Sequence, residues 1–194
     1  MHRQVRSDNL LNTMKIISGT LKGRSIRVPL DQTIEPVKSA VCNAIFSILG
    51  ARVTRARCLD LFAGTGALGL EALSRGAASC VFVEGSKAAV ETIQENLKNL
   101  DLVTQGSVVY SDIRHYLKTA VGKAAGPGWS LVFLDPPYAT PAAHLLKMIS
   151  NVLQDEGVVV YLGSRNAVIA PPRGLEIAQE RCYGKTKAWI LKKI

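Results

Sequence analysis

Short apolar runs separated by polar, helically spaced stretches recur along most of this 194-residue chain. Residues 58–62, 79–84, 108–111, 130–135 and 157–162 are each four to six residues of β type, with little internal charge. Continuous rather than alternating hydrophobicity is what a strand covered on both faces shows. Between these runs lie helical stretches. A turn from Ala63 to Gly69 opens a helix to about Arg75, and residues 86–100 form an amphipathic helix with Ser86 as candidate N-cap. Asp112 opens a helix to about Ala120, and residues 142–153 supply another. Five strands alternating with helices over short links predict an α/β chain with a doubly wound, largely parallel sheet.

Two flanking patterns differ from this alternation. Residues 175–183 and 187–192 are β-type runs around Gly184, which predicts a terminal antiparallel hairpin. Residues 14–18 and 24–28 are short β-type runs joined by a connection that begins and ends on glycine, Gly19 and Gly23, and they too read as a hairpin. Apolar Val37, Val41, Ala44, Ile45 and Ile48 then mark a helix between Pro36 and Gly50. Residues 1–13 lack the apolar centre of a signal peptide and are expected to be a disordered lead-in. The expected organisation is this lead-in, an N-terminal hairpin and helix over 14–50, and the main α/β domain over 51–194.

Composition changes the picture in one respect. The net charge of +9 is carried by the two ends: residues 1–29 sum to +5, residues 171–194 to +4, and residues 30–170 to zero. A neutral centre with two basic ends suggests a polyanionic partner, and a nucleic acid above all. Lys15, Lys22, Arg24 and Arg27 on the first hairpin, with Lys185 and Lys187 on the last, are the candidate phosphate-binding cations. No apolar run approaches the ~20 residues of a membrane helix. Cys42, Cys58, Cys80 and Cys182 show neither metal spacing nor a disulfide framework, and are expected to be reduced and buried in a cytoplasmic protein. The three histidines form no ligand set, so no metal is expected.

The candidate chemistry sits at strand ends. Leu131-Val132-Phe133-Leu134 runs into Asp135-Pro136-Pro137-Tyr138. Prolines cannot donate to a ladder, so the strand stops and leaves Asp135 where open α/β sheets bind ligands. A carboxylate, a stiffly held carbonyl and an aromatic ring within four residues suit a planar amino group. Gly64-Thr65-Gly66-Ala67-Leu68-Gly69 satisfies G-x-G-x-x-G, and Glu84 follows Gly64 by 20 residues. Alone, that is the dinucleotide fingerprint. However, Asp60 precedes the turn inside the strand, separated from Gly64 by Leu61, Phe62 and Ala63, where a dinucleotide site runs apolar strand straight into glycine. Acids thus end or nearly end four strands: Asp60, Glu84, Asp112 and Asp135.

The run Asp60–Gly69 resembles the first motif of S-adenosylmethionine-dependent methyltransferases. That resemblance implies cofactor contacts from Asp60, Phe62, Ala63, Gly64, Gly66 and Asp135, with Glu84 on the ribose hydroxyls and Asp112 beside the adenine. The chain further resembles the RsmD-type 16S rRNA guanine-N2 methyltransferases from Met14 to its end. The matching stretches are Met14–Gly19 with Leu21–Arg24, residues 58–75, Asp135–Tyr138, and Tyr183-Gly184-Lys185-Thr186. One stretch departs: Glu35-Pro36-Val37-Lys38-Ser39-Ala40-Val41-Cys42-Asn43 stands where the family carries Arg-Pro-Thr, an Asp and Val-Arg-Glu. This segment faces the methionine end of the cofactor in the family.

The resemblance implies a Rossmann-like fold and S-adenosylmethionine as cofactor. The implied reaction is methylation of a guanine N2 amine in 16S rRNA, the family target being guanine 966. Asp135, Pro136, Pro137 and Tyr138 are implied as the catalytic set, and the small ribosomal subunit or its assembly intermediate as the partner of a monomeric enzyme. The competing readings are a DNA or other RNA amino-methyltransferase acting on adenine N6 or cytosine N4, a protein-glutamine methyltransferase, and an RNA-binding module with a weakened catalytic fold.

Overall fold

A computed structural model of the chain describes residues 13–29, 37–120, 128–137 and 140–194. Most of the expected lead-in, Glu35 and Pro36, the connection at 121–127, and Tyr138 therefore lie outside the described residues. A seven-stranded sheet is built from β3 (Arg57–Leu61), β4 (Ser79–Glu84), β5 (Gly106–Tyr110), β6 (Trp129–Leu134), β7 (Leu153–Ser164), β8 (Leu175–Tyr183) and β9 (Thr186–Lys193). Their spatial order is β5-β4-β3-β6-β7-β9-β8, with β5 to β7 parallel and β9 antiparallel to both its neighbours. The expected doubly wound sheet and terminal hairpin are both present. Strand order reverses at β3, so the topological switch point lies between β3 and β6.

The two faces of the sheet are covered by different helices. Cys58, Phe82, Leu131, Phe133, Val158 and Val160 pack with α1 (Ser39–Leu49), α2 (Ala67–Ser74) and α3 (Lys87–Asn99). Leu59, Leu61, Val83, Val132, Leu134 and Val159 point the other way, toward α4 (Ile113–Ala120) and α5 (Ala142–Ser150). Alternate residues of one strand feed opposite cores, which is why these runs read as continuously apolar. Two edges of the reading shift. The last helix ends at Ser150 rather than near Leu153, because Leu153 pairs with Trp129 and starts β7 early, ahead of a register shift. Glu156 (φ 61°) carries the chain through that irregularity.

Helix α2 is buried along its whole length, Glu71 and Ser74 included. It can lie so close to the sheet because Gly69 has no side chain. A Cβ there would stand 2.2 Å from the Phe82 ring and 2.7 Å from the Cys80 sulfur. Gly69→Ala is therefore expected to cost about 1–3 kcal/mol by overpacking. The measurement is the urea midpoint at unchanged m-value; an unaltered midpoint would show that the helix–sheet spacing can relax.

The N-terminal hairpin, β1 (Thr13–Lys15) paired antiparallel with β2 (Ser25–Arg27), is fastened to this layer. Ser74 does much of the fastening. Its hydroxyl donates to Ser18 O (2.6 Å) and accepts from Leu21 N–H (3.0 Å), while its carbonyl accepts from Thr20 N–H (2.8 Å). The Glu71 carboxylate accepts from Ile17 N–H (2.8 Å) and from Arg75 Nε (2.6 Å). Asn96 on α3, 1 % exposed, exchanges two hydrogen bonds with the Arg27 backbone, at 2.8 and 2.9 Å. A buried polar side chain satisfied in this way fixes position as well as adding stability.

Candidate active site

The carboxyl ends of β3, β4 and β6 stand at one level. Leu61 pairs with Val83 on one side and Leu134 on the other, so Phe62, Glu84 and Asp135 each come one residue later. Between these ends and the start of α1 lies a cavity of about 840 Å³. Its lining includes Asp60, Phe62, Ala63, Gly64, Glu84, Asp135, Pro136 and Pro137 from the expected set. Glycine-rich backbone forms one wall. Gly64 (φ 53°) and Gly66 (φ 74°) are in the left-handed region, and Gly66 N–H donates to Ala63 O (2.7 Å); of the two only Gly64 lines the cavity, since a Cβ on Gly66 would meet Ile93 and Leu70. Phe62 adopts φ 58° with a full side chain, a strained conformation of the kind held in place at functional sites.

Glu84 braces that wall. Its Oε2 accepts from Gly64 N–H (2.8 Å) and its Oε1 from Ser86 N–H (2.7 Å). Each carboxylate oxygen keeps acceptor capacity toward the cavity. Ser86 caps α3 as expected, accepting from Ala89 N–H (3.4 Å). Asp60 has a different place. It is 2 % exposed, on the face toward α2, and accepts from Gly69 N–H (2.9 Å). Burial pushes its carboxyl well above the usual range; the Gly69 bond acts the other way, and the nearby Asp135 and Glu84 add to the rise. Asp60 therefore anchors the loop and helix, behind a wall that Glu84 faces more openly.

The β6 end behaves as its prolines demand. Asp135 N–H still reaches Leu61 O at 3.5 Å, after which the ladder stops. Pro137 O accepts from Thr140 N–H (2.8 Å), whereas Pro136 is buried against the cavity. Asp135 also lies near Tyr161, whose phenol is pushed up by burial and then by that carboxylate. Tyr161 is itself stacked on Trp189, centroids 5.0 Å apart.

Asp112 is not part of the cavity lining. Its Oδ1 accepts from His115 N–H (2.9 Å), so it caps α4. Among the cations, Lys15 and Lys22 are exposed, and Lys185 is exposed while also lining the cavity. Others are engaged within the protein: Arg24 donates to Asn99 O (2.6 Å), Arg27 pairs with Glu95, and Lys187 pairs with Glu180 (3.1 Å) over the Trp189 ring. The cysteine expectation needs one correction, since Cys182 is exposed on the edge strand β8. Cys42, Cys58 and Cys80 are buried; desolvation pushes Cys42 and Cys58 up to about 12, which makes them inert.

Several lining residues had no role in the sequence reading. Lys38 and Val41 come from the stretch where the chain departs from its family pattern. Leu162 lies two residues before the end of β7, and Gly184 and Thr186 belong to the closing Tyr-Gly-Lys-Thr motif. The signal was available in part: a fifth parallel strand must end on the same edge as the other four.

These features fit a nucleoside joined to an amino acid. Backbone approach at Gly64, Glu84 at the β4 end and the Asp135 carboxylate suit hydroxyls and a cationic group; Lys38 offers a counter-charge for a carboxylate. The fold and this cavity define a Rossmann-like methyltransferase of the S-adenosylmethionine-dependent class. The family model described as "Conserved hypothetical protein 95" matches residues 14–192, and the chain belongs to this family, the RsmD-type methyltransferases. It is 35% identical over 184 residues to "Putative rRNA methyltransferase YlbH" of Bacillus subtilis, covering 93% of this chain and 99% of the relative. It is 32% identical over 179 residues to "Ribosomal RNA small subunit methyltransferase D" of Escherichia coli K12, covering 89% and 86%. The solved structure "Putative methyltransferase yhhF from Escherichia coli" superposes with TM-score 0.82 at 28% identity, covering 94% of this chain and 98% of that one.

Proposed function

We propose that this enzyme methylates the exocyclic N2 amine of a guanine in 16S rRNA, at the family target guanine 966, during biogenesis of the small ribosomal subunit. The observation that carries this reading is the Asp135-Pro136 corner, which opens into the same cavity as the glycine loop and Glu84. The names of the relatives support ribosomal RNA as substrate.

S-adenosylmethionine, when bound, supplies an electrophilic methyl group on a sulfonium. The chain's own task is to make a poor nucleophile ready for it, because the N2 lone pair is delocalised into the guanine ring. The Asp135 carboxylate and the Pro136 carbonyl accept the two amine hydrogens and turn the nitrogen's electron density toward the methyl carbon. Methyl transfer would leave the nitrogen cationic, and Asp135 would stabilise that charge. The nitrogen would then give up one proton, by way of the partly exposed Asp135 carboxylate to solvent, leaving neutral N2-methylguanine. Tyr138 stacks on the target base, which has to be unstacked from its strand to enter. Exposed Lys15, Lys22 and Lys185 hold phosphates and give much of the salt-dependent affinity.

The test is incubation with labelled S-adenosylmethionine and small subunits lacking the modification, followed by mapping of the label. The expected result is one methyl group on N2 of a single guanine. Label on adenine N6, cytosine N4 or a protein glutamine would replace this reading. Cofactor binding with no transfer to any ribosomal substrate would make the chain a binding module.

A further inference from the structure

Beside the main cavity lies a second, smaller one of about 420 Å³, lined by Ser164, Arg165, Asn166, Gly184 and Lys185. It forms where the turn after β7 meets the turn joining β8 to β9. The two turns are tied through backbone atoms: Arg165 N–H donates to Lys185 O (2.8 Å), and Ser164 pairs with Thr186 in the sheet. The Arg165 guanidinium leans on the same turn, donating from Nη1 to Gly184 O (3.3 Å). Gly184 (φ 58°) takes the first position of the two-residue hairpin loop, where a left-handed residue is needed.

This cavity is the more basic of the two. Two cations, a hydroxyl and an amide line it, and no acid does. The main cavity is lined by three acids, Asp60, Glu84 and Asp135, and by two lysines, Lys38 and Lys185. Gly184 and Lys185 line both, so the two spaces meet along that turn. Among the described residues, neither Arg165 nor Lys185 forms an ion pair, unlike Arg27, Lys187, Lys192 and Lys193. A guanidinium steadied by one of its N–H groups keeps its other donors for an acceptor, and its planar fork matches a phosphate.

We propose that Ser164, Arg165, Asn166 and Lys185 form a phosphate subsite that grips the RNA backbone next to the base in the main cavity. The inference rests on the RNA-methyltransferase reading and deepens it. A nucleotide carries a neutral base and an anionic phosphate joined through one sugar, and the amine-accepting corner and the basic hollow belong to cavities that share the Gly184-Lys185 turn. Lys187, assigned to RNA by sequence, is already held by Glu180, whereas Arg165 sits outside both basic ends of the chain and was not a candidate.

Arg165→Ala alone and combined with Lys185→Ala, in the full chain, test this. Both changes leave the backbone tie intact, so the turns should stay in place. Methylation of unmodified small subunits should show a KM for subunits raised about tenfold in the double variant, as expected for lost charge-assisted phosphate contacts. The slope of log affinity for 16S rRNA against log salt should fall by roughly 1–2. Arg165→Lys should recover part of the loss, and the S-adenosylmethionine dissociation constant of Arg165→Ala should match the wild type. An unchanged KM and salt slope would overturn the subsite, as would an equal weakening of cofactor binding. A wild-type protein that binds the RNA but transfers no methyl group would sink the functional reading instead, and the salt slopes would still decide the subsite.

Discussion

Asp135→Ala is expected to lower turnover by about 10²–10³-fold, the scale seen when one preorganised electrostatic group is removed from a reacting centre. Fold and RNA affinity should change little, because Asp135 is only partly buried at a strand end and its removal opens no core cavity. Its neighbours hold the corner without it: Pro136 and Pro137 fix the backbone, and Thr140 N–H remains on Pro137 O. Asp135→Asn separates two contributions. The amide keeps an acceptor oxygen but loses the charge, so partial activity in Asn with none in Ala would make acceptor geometry the main effect. Equal loss would give that place to the charge. The check is single-turnover methyl transfer at saturating substrate, with thermal melting as the fold control. Wild-type rates in Asp135→Ala would remove the residue from the catalytic assignment.

Glu84→Ala is expected to weaken S-adenosylmethionine binding by about 2–4 kcal/mol, since bonds to a charged acceptor are each worth roughly 1.5–3 kcal/mol. Two effects combine. Acceptors for the ribose hydroxyls disappear, and Gly64 and Ser86 N–H lose the carboxylate that pins the loop and the start of α3. Glu84→Gln should fall between wild type and alanine, because the amide nitrogen cannot accept from the N–H it would face. Calorimetry with the cofactor and with NAD decides the matter. Unchanged cofactor affinity in Glu84→Ala, or tight NAD binding by the wild type, would contradict the site described above.

The basic ends show where sequence and structure part. Six cations were equivalent as members of two charged segments. In the folded chain Arg27 and Lys187 are ion-paired with Glu95 and Glu180, and Arg24 donates to Asn99 O while staying exposed, as Lys15, Lys22 and Lys185 do. The strand-end acids divide in the same way. Asp60 lines the cavity but is tied under α2 through Gly69 N–H, Glu84 and Asp135 line it at their strand ends, and Asp112 caps a helix. Spacing placed all four at strand ends; strand register and the packing of α2 chose their surroundings.

The chain by itself determined the α/β alternation, the doubly wound parallel sheet, and the identity of the glycine loop and Asp-Pro-Pro corner. These depend on neighbours within a few residues: continuous apolar runs, helical spacing, and prolines that cannot continue a ladder. Only the tertiary structure decided which charged groups are spent internally, that Lys38 joins the cavity wall, and that Arg165 meets Lys185 across 20 residues of chain. Those pairings are set by which turns the sheet order brings together, and side-chain periodicity carries no record of that.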